Sequence, residues 1–493
     1  MRSWRARDLA PGPVVLLLLT LLFGCLPPSP QAPTPPPLPA SPAPPPVARE
    51  PHPRAAALAT ALTDDNRVWA DRTELVAHKL RRMAADPYNF MRGTAALYPL
   101  PAPPPGTGLP ALAEATPVLI VTDPHPENFG CFLNGDPDTA ASWSIEINDF
   151  DGATFGPWLH DVLRAAVGVR LIASRTPSCH ATCQTATAEA LAGGYAEEVR
   201  DRSGGEPGLH PSDVDSSVIA ARLLRDCKKG HRKRKRLHKQ ASLEGGPPSL
   251  KRDASLNKRG RGVLDLTETE AAQVRRLTSQ LAARLPDLVV HDAARLYGRG
   301  VSSIPALRYV LLTTPRDDSP LTLLLLREVV APPALPYLTL PDAGDFATNA
   351  GRIEAAPRQL WSSPSRDPFA FGLTDGQISF KSQTWGSAFS SFDHDDILAD
   401  LDKGKTHASD LPVFARYLGR LLAGHHARGV TLDGAPALPV LTRELGGGPH
   451  ALAAFVAEHS GAQVEQLRQE AEWLRRAKGD LIALKQQYPP GAR

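Results

Sequence analysis

A stretch dense in proline sets the outer bound on what this chain can fold. Residues 26–53 read LPPSPQAPTPPPLPASPAPPPVAREPHP. Proline has no backbone N–H and a fixed φ, so such a run sustains neither helix nor sheet ladder and is drawn into a solvated polyproline conformation. A folded domain can therefore begin only near Ala55, and the remaining chain to Arg493 is long enough to bury a large core.

The residues ahead of the proline run explain it. Arg2, Arg5 and Arg7 precede the eleven-residue apolar run VVLLLLTLLFG, which ends at Cys25. That run is too short for a hydrocarbon core, which takes about 20 helical residues. With a basic flank it reads as an export signal. Cys25, in LFGC, resembles the acylated cysteine of bacterial lipoproteins, the other reading being a secretory signal cleaved nearby. The expected organisation is a signal peptide over 1–24, a proline-rich spacer over 25–54 and a domain over 55–493. The expected location is the bacterial cell envelope, anchored to the bilayer through acylated Cys25 or free in the periplasm or outside.

Four further cysteines remain: Cys131, Cys179, Cys183 and Cys227. An exported chain permits disulfides. CHATC, with His180, can close a small loop or carry thiols, and without a second Cys/His pair nearby it is a poor zinc site. Charge is concentrated as well. Residues 228–262 hold thirteen Lys/Arg against Glu244 and Asp253, a net of +11 in a chain whose total is +3. Repulsion, with Gly, Pro and Ser, predicts an exposed, disordered insertion. Its charge suits nucleic acid or an anionic lipid surface, and the envelope surface is the partner available to an exported chain. A solvated loop without a partner is the plainer reading, and no specific nucleic acid is expected.

Periodicity places helices over 56–85, stopped at Pro87, from Trp158 to near Ser174, from Asp410 to Gly429, and over 461–486. TPVLIVTD and WSIEIND read as strands, and LRYVLLT with LTLLLLREVV as a hairpin. The overall expectation is α+β with helical flanks. Each of the first two strands runs into a polar turn: DPHPEN carries Asp123, His125 and Asn128, and NDFD carries Asp149 and Asp151. Magnesium takes hard oxygen ligands and keeps several waters, so one or two carboxylates and an amide are the right supply. A further carboxylate can orient or deprotonate a hydroxyl.

DPHPEN resembles the D-x-H-P-x-N catalytic loop of aminoglycoside-type phosphotransferases, and INDFD resembles their metal-binding segment. The resemblance implies a two-lobed, protein-kinase-like fold, with magnesium and ATP as cofactors. It makes Asp123 the catalytic base, His125 a loop organiser, and Asn128 and Asp149 the metal ligands. Asp151 is a third candidate metal ligand, and Asp161 is the helix aspartate that steadies the loop. Val121-Thr122 departs from the usual His-Gly. GRGVSS offers Gly298, Gly300, Ser302 and Ser303 as a phosphate-cradling turn before the hairpin, and Arg327 stands where related enzymes carry lysine. This half follows the catalytic loop, so the kinase order would have to be circularly permuted.

MAADPYNFMRGTAALY, DPHPENFGCF, INDFDGATFGPWLHDVLR, YGRGVSSIPALRYVLL, LLLLREV and AGHHARG also resemble, in order, the segments of a bacterial family catalogued as domain of unknown function 2252. Arg92, Lys381 and His426 lie in segments shared with that pattern. Arg92 can bind an anion or pair with an acid such as Asp161. A histidine placed like His426 is more often a satisfied core residue than a catalyst.

Three readings stand. The first is a magnesium-dependent phosphotransferase acting on an unknown acceptor. The second is a kinase-like binding protein of the envelope without turnover, favoured by Arg327, Thr122 and the scarcity of ATP outside the cytoplasm. The third is a metal-dependent hydrolase using Asp123, His125, Asp149 and Asp151.

Overall fold

The hairpin predicted from its aliphatic runs forms the centre of the main sheet. The computed structural model describes residues 53–477, apart from positions 134, 140–141, 211–213, 215, 316–319, 364–366 and 447. The signal segment, Cys25, nearly all of the proline-rich stretch and the predicted helix beyond 477 lie outside the described residues. The sheet has six antiparallel strands, in the order Phe371–Asp375, Ile378–Thr384, Thr322–Val329, Arg308–Thr314, Val289–Tyr297 and Gly262–Leu264. The architecture is α+β, as expected.

Central strands that are apolar at successive positions need cover on both faces. Tyr309, Leu311, Leu324 and Leu326 pack with Val274, Leu277 and Leu281 of the helix Glu268–Arg284. The alternate residues Val310, Leu312, Leu323 and Leu325 pack with Leu237, Ala241, Leu250 and Trp385. This second layer corrects the expectation for the basic stretch 228–262, which is folded rather than disordered. It holds the end of the helix Val218–Arg232, the helix Lys235–Gln240, a two-residue ladder and the edge strand Gly262–Leu264. Three dispersed apolar anchors decide its structure, while most of its charges are exposed; Arg236 lies over the Trp385 ring and Arg252 pairs with Asp292.

The helical part packs around a second, larger core. Its members include Ala55–Asp65, Thr73–Ala84, Trp158–Ser174, Ala181–Ser203, Asp410–Arg428 and Pro449–Arg476. The first and the last of the four helix expectations need correction. The segment 56–85 is two helices, broken where the Asn66 amide turns back to Leu62 O at 2.7 Å and Trp69 dips into the core. Pro87 begins a helix as well as ending one: Asp86 accepts a hydrogen bond from Tyr88 N at 2.6 Å and caps Pro87–Arg92. The last helix starts at Pro449, twelve positions before 461. Helices Ala181–Ser203 and Asp410–Arg428 meet backbone to backbone. A Cβ on Gly194 would lie 2.2 Å from Arg416 O, and one on Gly419 would lie 2.0 Å from Leu191 O, so only glycine fits either place.

Four cysteines form two disulfides, Cys131–Cys227 across 96 residues and Cys179–Cys183 across 4. The first ties the strand Phe129–Leu133 to the basic helix. Closing so long a loop constrains the unfolded chain most, so replacing Cys131 and Cys227 with serine is expected to cost about 2–5 kcal/mol. Urea unfolding of the oxidised protein beside that variant measures it, and equal midpoints would contradict the bond's role.

Candidate functional site

Each polar segment crosses between two short ladders. Residues 121–128 lead from the strand Val118–Ile120 to Phe129–Leu133, and residues 148–153 lead from Trp143–Ile147 to Thr154–Gly156. The outer strands pair (Ile120 with Thr154) and the inner strands pair (Phe129 with Ile147). Both ends of both segments are thereby pinned together, and Asn148 N donates to Asn128 O at 3.0 Å.

The first segment is held in a conformation its sequence does not favour. Thr122 has φ 64°, a left-handed value rare for a β-branched residue. Buried Asp161 accepts hydrogen bonds from Val121 N at 2.8 Å and Thr122 N at 2.9 Å, while Thr122 Oγ1 donates to Gly152 O at 3.1 Å. Behind Asp161, His426 Nε2 lies 3.1 Å from its carboxylate and Nδ1 lies 2.8 Å from the Tyr195 hydroxyl. Asp161 and His426 are therefore fully buried supports of the loop. Arg92 does not pair with Asp161; its partner is Glu127, at 2.7 Å. Glu127 also contacts His394 Nδ1. Burial raises the Glu127 carboxyl, but Arg92 and His394 outweigh it and hold the pKa down to about 2. Burial lowers His125 to about 4, so that imidazole is neutral near pH 7.

The second segment faces the sheet. Arg327 and Lys381 are cross-strand partners, and Arg308 is the partner of Arg327 on its other side, so three cations stand in one row. Arg327 Nη2 lies 2.7 Å from Asp149 and 2.5 Å from Asp151; Lys381 Nζ lies 3.1 Å and 2.8 Å from the same two carboxylates. Burial works to raise Asp149, but Arg327 and Lys381 hold its carboxyl well below the usual range. Arg308 has no carboxylate. It donates to Ser303 O and Oγ, both at 2.5 Å, and burial with the neighbouring Arg327 lowers it to about 9.

Arg92, Asp123, His125, Asn128, Asp149, Gly300, Ser302, Ser303, Arg327 and Lys381 line one cleft of about 220 Å³. Asp151 lines an adjoining cavity of about 580 Å³, which shares Arg92, Asp123, Asn128, Asp149, Ser302 and Ser303 with the first. Gly298 lies outside both; its φ of 71° turns the chain, and a Cβ there would strike Gly260 O at 2.4 Å. Several functional contacts escaped the sequence reading. Arg164 Nε donates to Asp123 Oδ1 at 2.8 Å, and Arg352 donates to the carbonyls of Phe150, Asp151 and Ala153. Nothing local in the sequence marks either arginine. The pairing of Arg327 with Lys381 follows only from strand register.

The donor set fits a hard divalent ion arriving with phosphate groups: Asp149 is kept anionic, Asn128 supplies an amide, and the cations across the cleft suit the phosphates. Nε of Arg92, Nε of Arg327 and Nδ1 of His125 are buried without a hydrogen-bond partner, which suits a polar occupant. The four residues of the hydrolase expectation do not stand together at metal-ligand spacing. Among the described residues the group at ligand spacing is Glu127, Asp393 and His394, not Asp123, His125, Asp149 and Asp151.

The fold and cleft define an α+β protein with an ion-lined site between a sheet and two pinned loops. The chain belongs to the family described as "Uncharacterized protein conserved in bacteria (DUF2252)", whose model matches residues 72–477. Neither the curated proteins nor the solved structures hold a match to it.

Asp161→Asn keeps the volume but gives up one acceptor oxygen, leaving a buried backbone N–H at Val121 or Thr122 without a partner. A loss of about 1–3 kcal/mol is expected by urea unfolding, with faster hydrogen exchange at those amides. Unchanged stability would contradict the loop-holding role.

Proposed function

We propose that this protein is an envelope-located, magnesium-dependent phosphotransferase using ATP, with a kinase-like catalytic loop in a circularly permuted chain order. The observation that carries the reading is the row formed by Arg327 and Lys381, neutralised by Asp149 and Asp151 opposite the Asp123–Asn128 loop. Arg308 is the third cation of that row and has no ion-pair partner among the described residues. The row therefore carries one positive charge more than the two carboxylates offset, and an anion is favoured there. Arg327 and Lys381 bind the phosphates of the donor, and the Gly300–Ser303 turn lies beside them. Magnesium, held through Asn128 and Asp149, would offset phosphate charge. Asp123 accepts the proton of an acceptor hydroxyl, whose oxygen forms the new bond to the γ-phosphorus. The bond from that phosphorus to the β,γ-bridging oxygen breaks, and its electron pair leaves with ADP. The two disulfides support an oxidising compartment, and there acylated Cys25 with its proline-rich spacer would tether the domain to the bilayer. The exposed charges of 228–262 would face an anionic surface there.

A second reading, a binding protein without turnover, is favoured by Arg164. Its Nε donates to Asp123 Oδ1 at 2.8 Å and so occupies an oxygen that a base would have to offer to the acceptor hydroxyl.

Thermal unfolding with and without magnesium and ATP separates the cases, together with ADP release. Saturation a hundredfold above Kd stabilises by about 2.7 kcal/mol, a shift of roughly a few degrees in a protein this large. Wild type and Asp123→Asn are both expected to shift, Lys381→Met not to, and only wild type to release ADP. A shift without turnover selects the second reading. No shift in wild type contradicts both.

A further inference from the structure

Beside the cleft, Arg82, Arg259, Arg261 and Arg299, from three separate chain segments, crowd together; Arg92, next to them, already has Glu127 as its partner at 2.7 Å. The segments are packed directly on one another. A Cβ on Gly260 would lie 2.4 Å from the His78 ring of the helix Thr73–Ala84, and one on Gly298 would lie 2.9 Å from Arg261 Cα. Arg82 of that helix is thereby brought beside Arg261 and Arg259. Arg92, which lines both cavities, is near enough for its charge to bear on Arg82, as do those of Arg261 and Arg259. Arg299, between Gly298 and Gly300, feels Arg261 and lies over the Trp385 ring at 5.8 Å.

Balancing charge is scarce. Among the described residues no ion pair joins Arg82, Arg259, Arg261 or Arg299 to a carboxylate, and Asp395 is the one acid whose charge bears on Arg82. Burial and these like charges lower Arg82. Arg82, Arg92 and Arg261 are only partly exposed. Retaining several half-buried guanidinium groups against mutual repulsion makes physical sense where a multiply charged anion replaces the missing carboxylates.

We propose that this arginine cluster is the acceptor subsite, and that the acceptor is a soluble, multiply charged anion carrying phosphate or several carboxylate groups, bound through Arg82 and Arg261, with Arg92, paired to Glu127, at the edge toward the cleft. The inference rests on the phosphotransferase reading for the word acceptor, but not for the binding of the anion. An acceptor anchored there presents its hydroxyl toward Asp123, in the cavity that Arg92 and Asp123 both line. An aminoglycoside-like polycation is excluded from such a subsite by charge.

The test uses the full chain and myo-inositol hexakisphosphate as the polyanion probe, read by thermal unfolding and titration calorimetry. Wild type is expected to bind the probe, and Arg82→Gln/Arg261→Gln to bind it at least tenfold more weakly. That double variant should unfold at or above the wild-type temperature without probe, because repulsion is relieved, and should keep its response to magnesium and ATP. Lys381→Met should lose the nucleotide response and keep the probe. Probe binding without any nucleotide response would leave the anion subsite standing while removing the phosphotransferase reading. Absence of probe binding in wild type, or equal affinity in the double variant, overturns the proposal.

Discussion

Arg327 and Lys381 face a cleft, and leaving either ion buried there without a partner costs several kcal/mol. Asp149 and Asp151 supply those partners from a different part of the chain. This four-group ion cluster joins the sheet to the loops and fixes which face of the sheet looks into the site. It also keeps Asp149 anionic. Net neutrality of the four groups, with Arg308 in the same row, leaves the sheet side of the cleft positive.

The loops can meet that cluster only because the helical part holds them there. Asp161 takes the amides of Val121 and Thr122, Arg164 takes Asp123, and both come from one face of the helix Trp158–Ser174. Arg352 performs the same task for the second loop by collecting its carbonyls. The strained φ at Thr122 is stable within that framework, where a glycine would adopt it without strain. Close packing of Gly194 and Gly419 against the facing backbones in turn sets the position of the Asp410–Arg428 helix, and so of His426.

Much of this was legible where local pattern decides structure. The helix Trp158–Ser174 and the hairpin followed from spacing, and the two acidic turns from their strands. Long-range arrangement was not legible. Lys381 was a candidate without a role until register placed it beside Arg327, and Arg164, Glu127, Arg308 and Arg352 look like any surface residues in one dimension. The basic stretch misled because thirteen charges hide Leu237, Ala241 and Leu250, whose apolar contacts with the sheet decide that segment. Asn66, whose amide bonds back to Leu62 O, and Trp69, buried in the core, broke an apparently continuous helix, and helical periodicity encodes neither.

The most direct test of the account is a crystal structure of the protein with magnesium and a non-hydrolysable ATP analogue. The account predicts the triphosphate between the Arg327–Lys381 pair and Asn128, with the terminal phosphate facing Asp123. An analogue bound elsewhere, or an ion cluster still closed on itself with the cleft free of nucleotide, would contradict it.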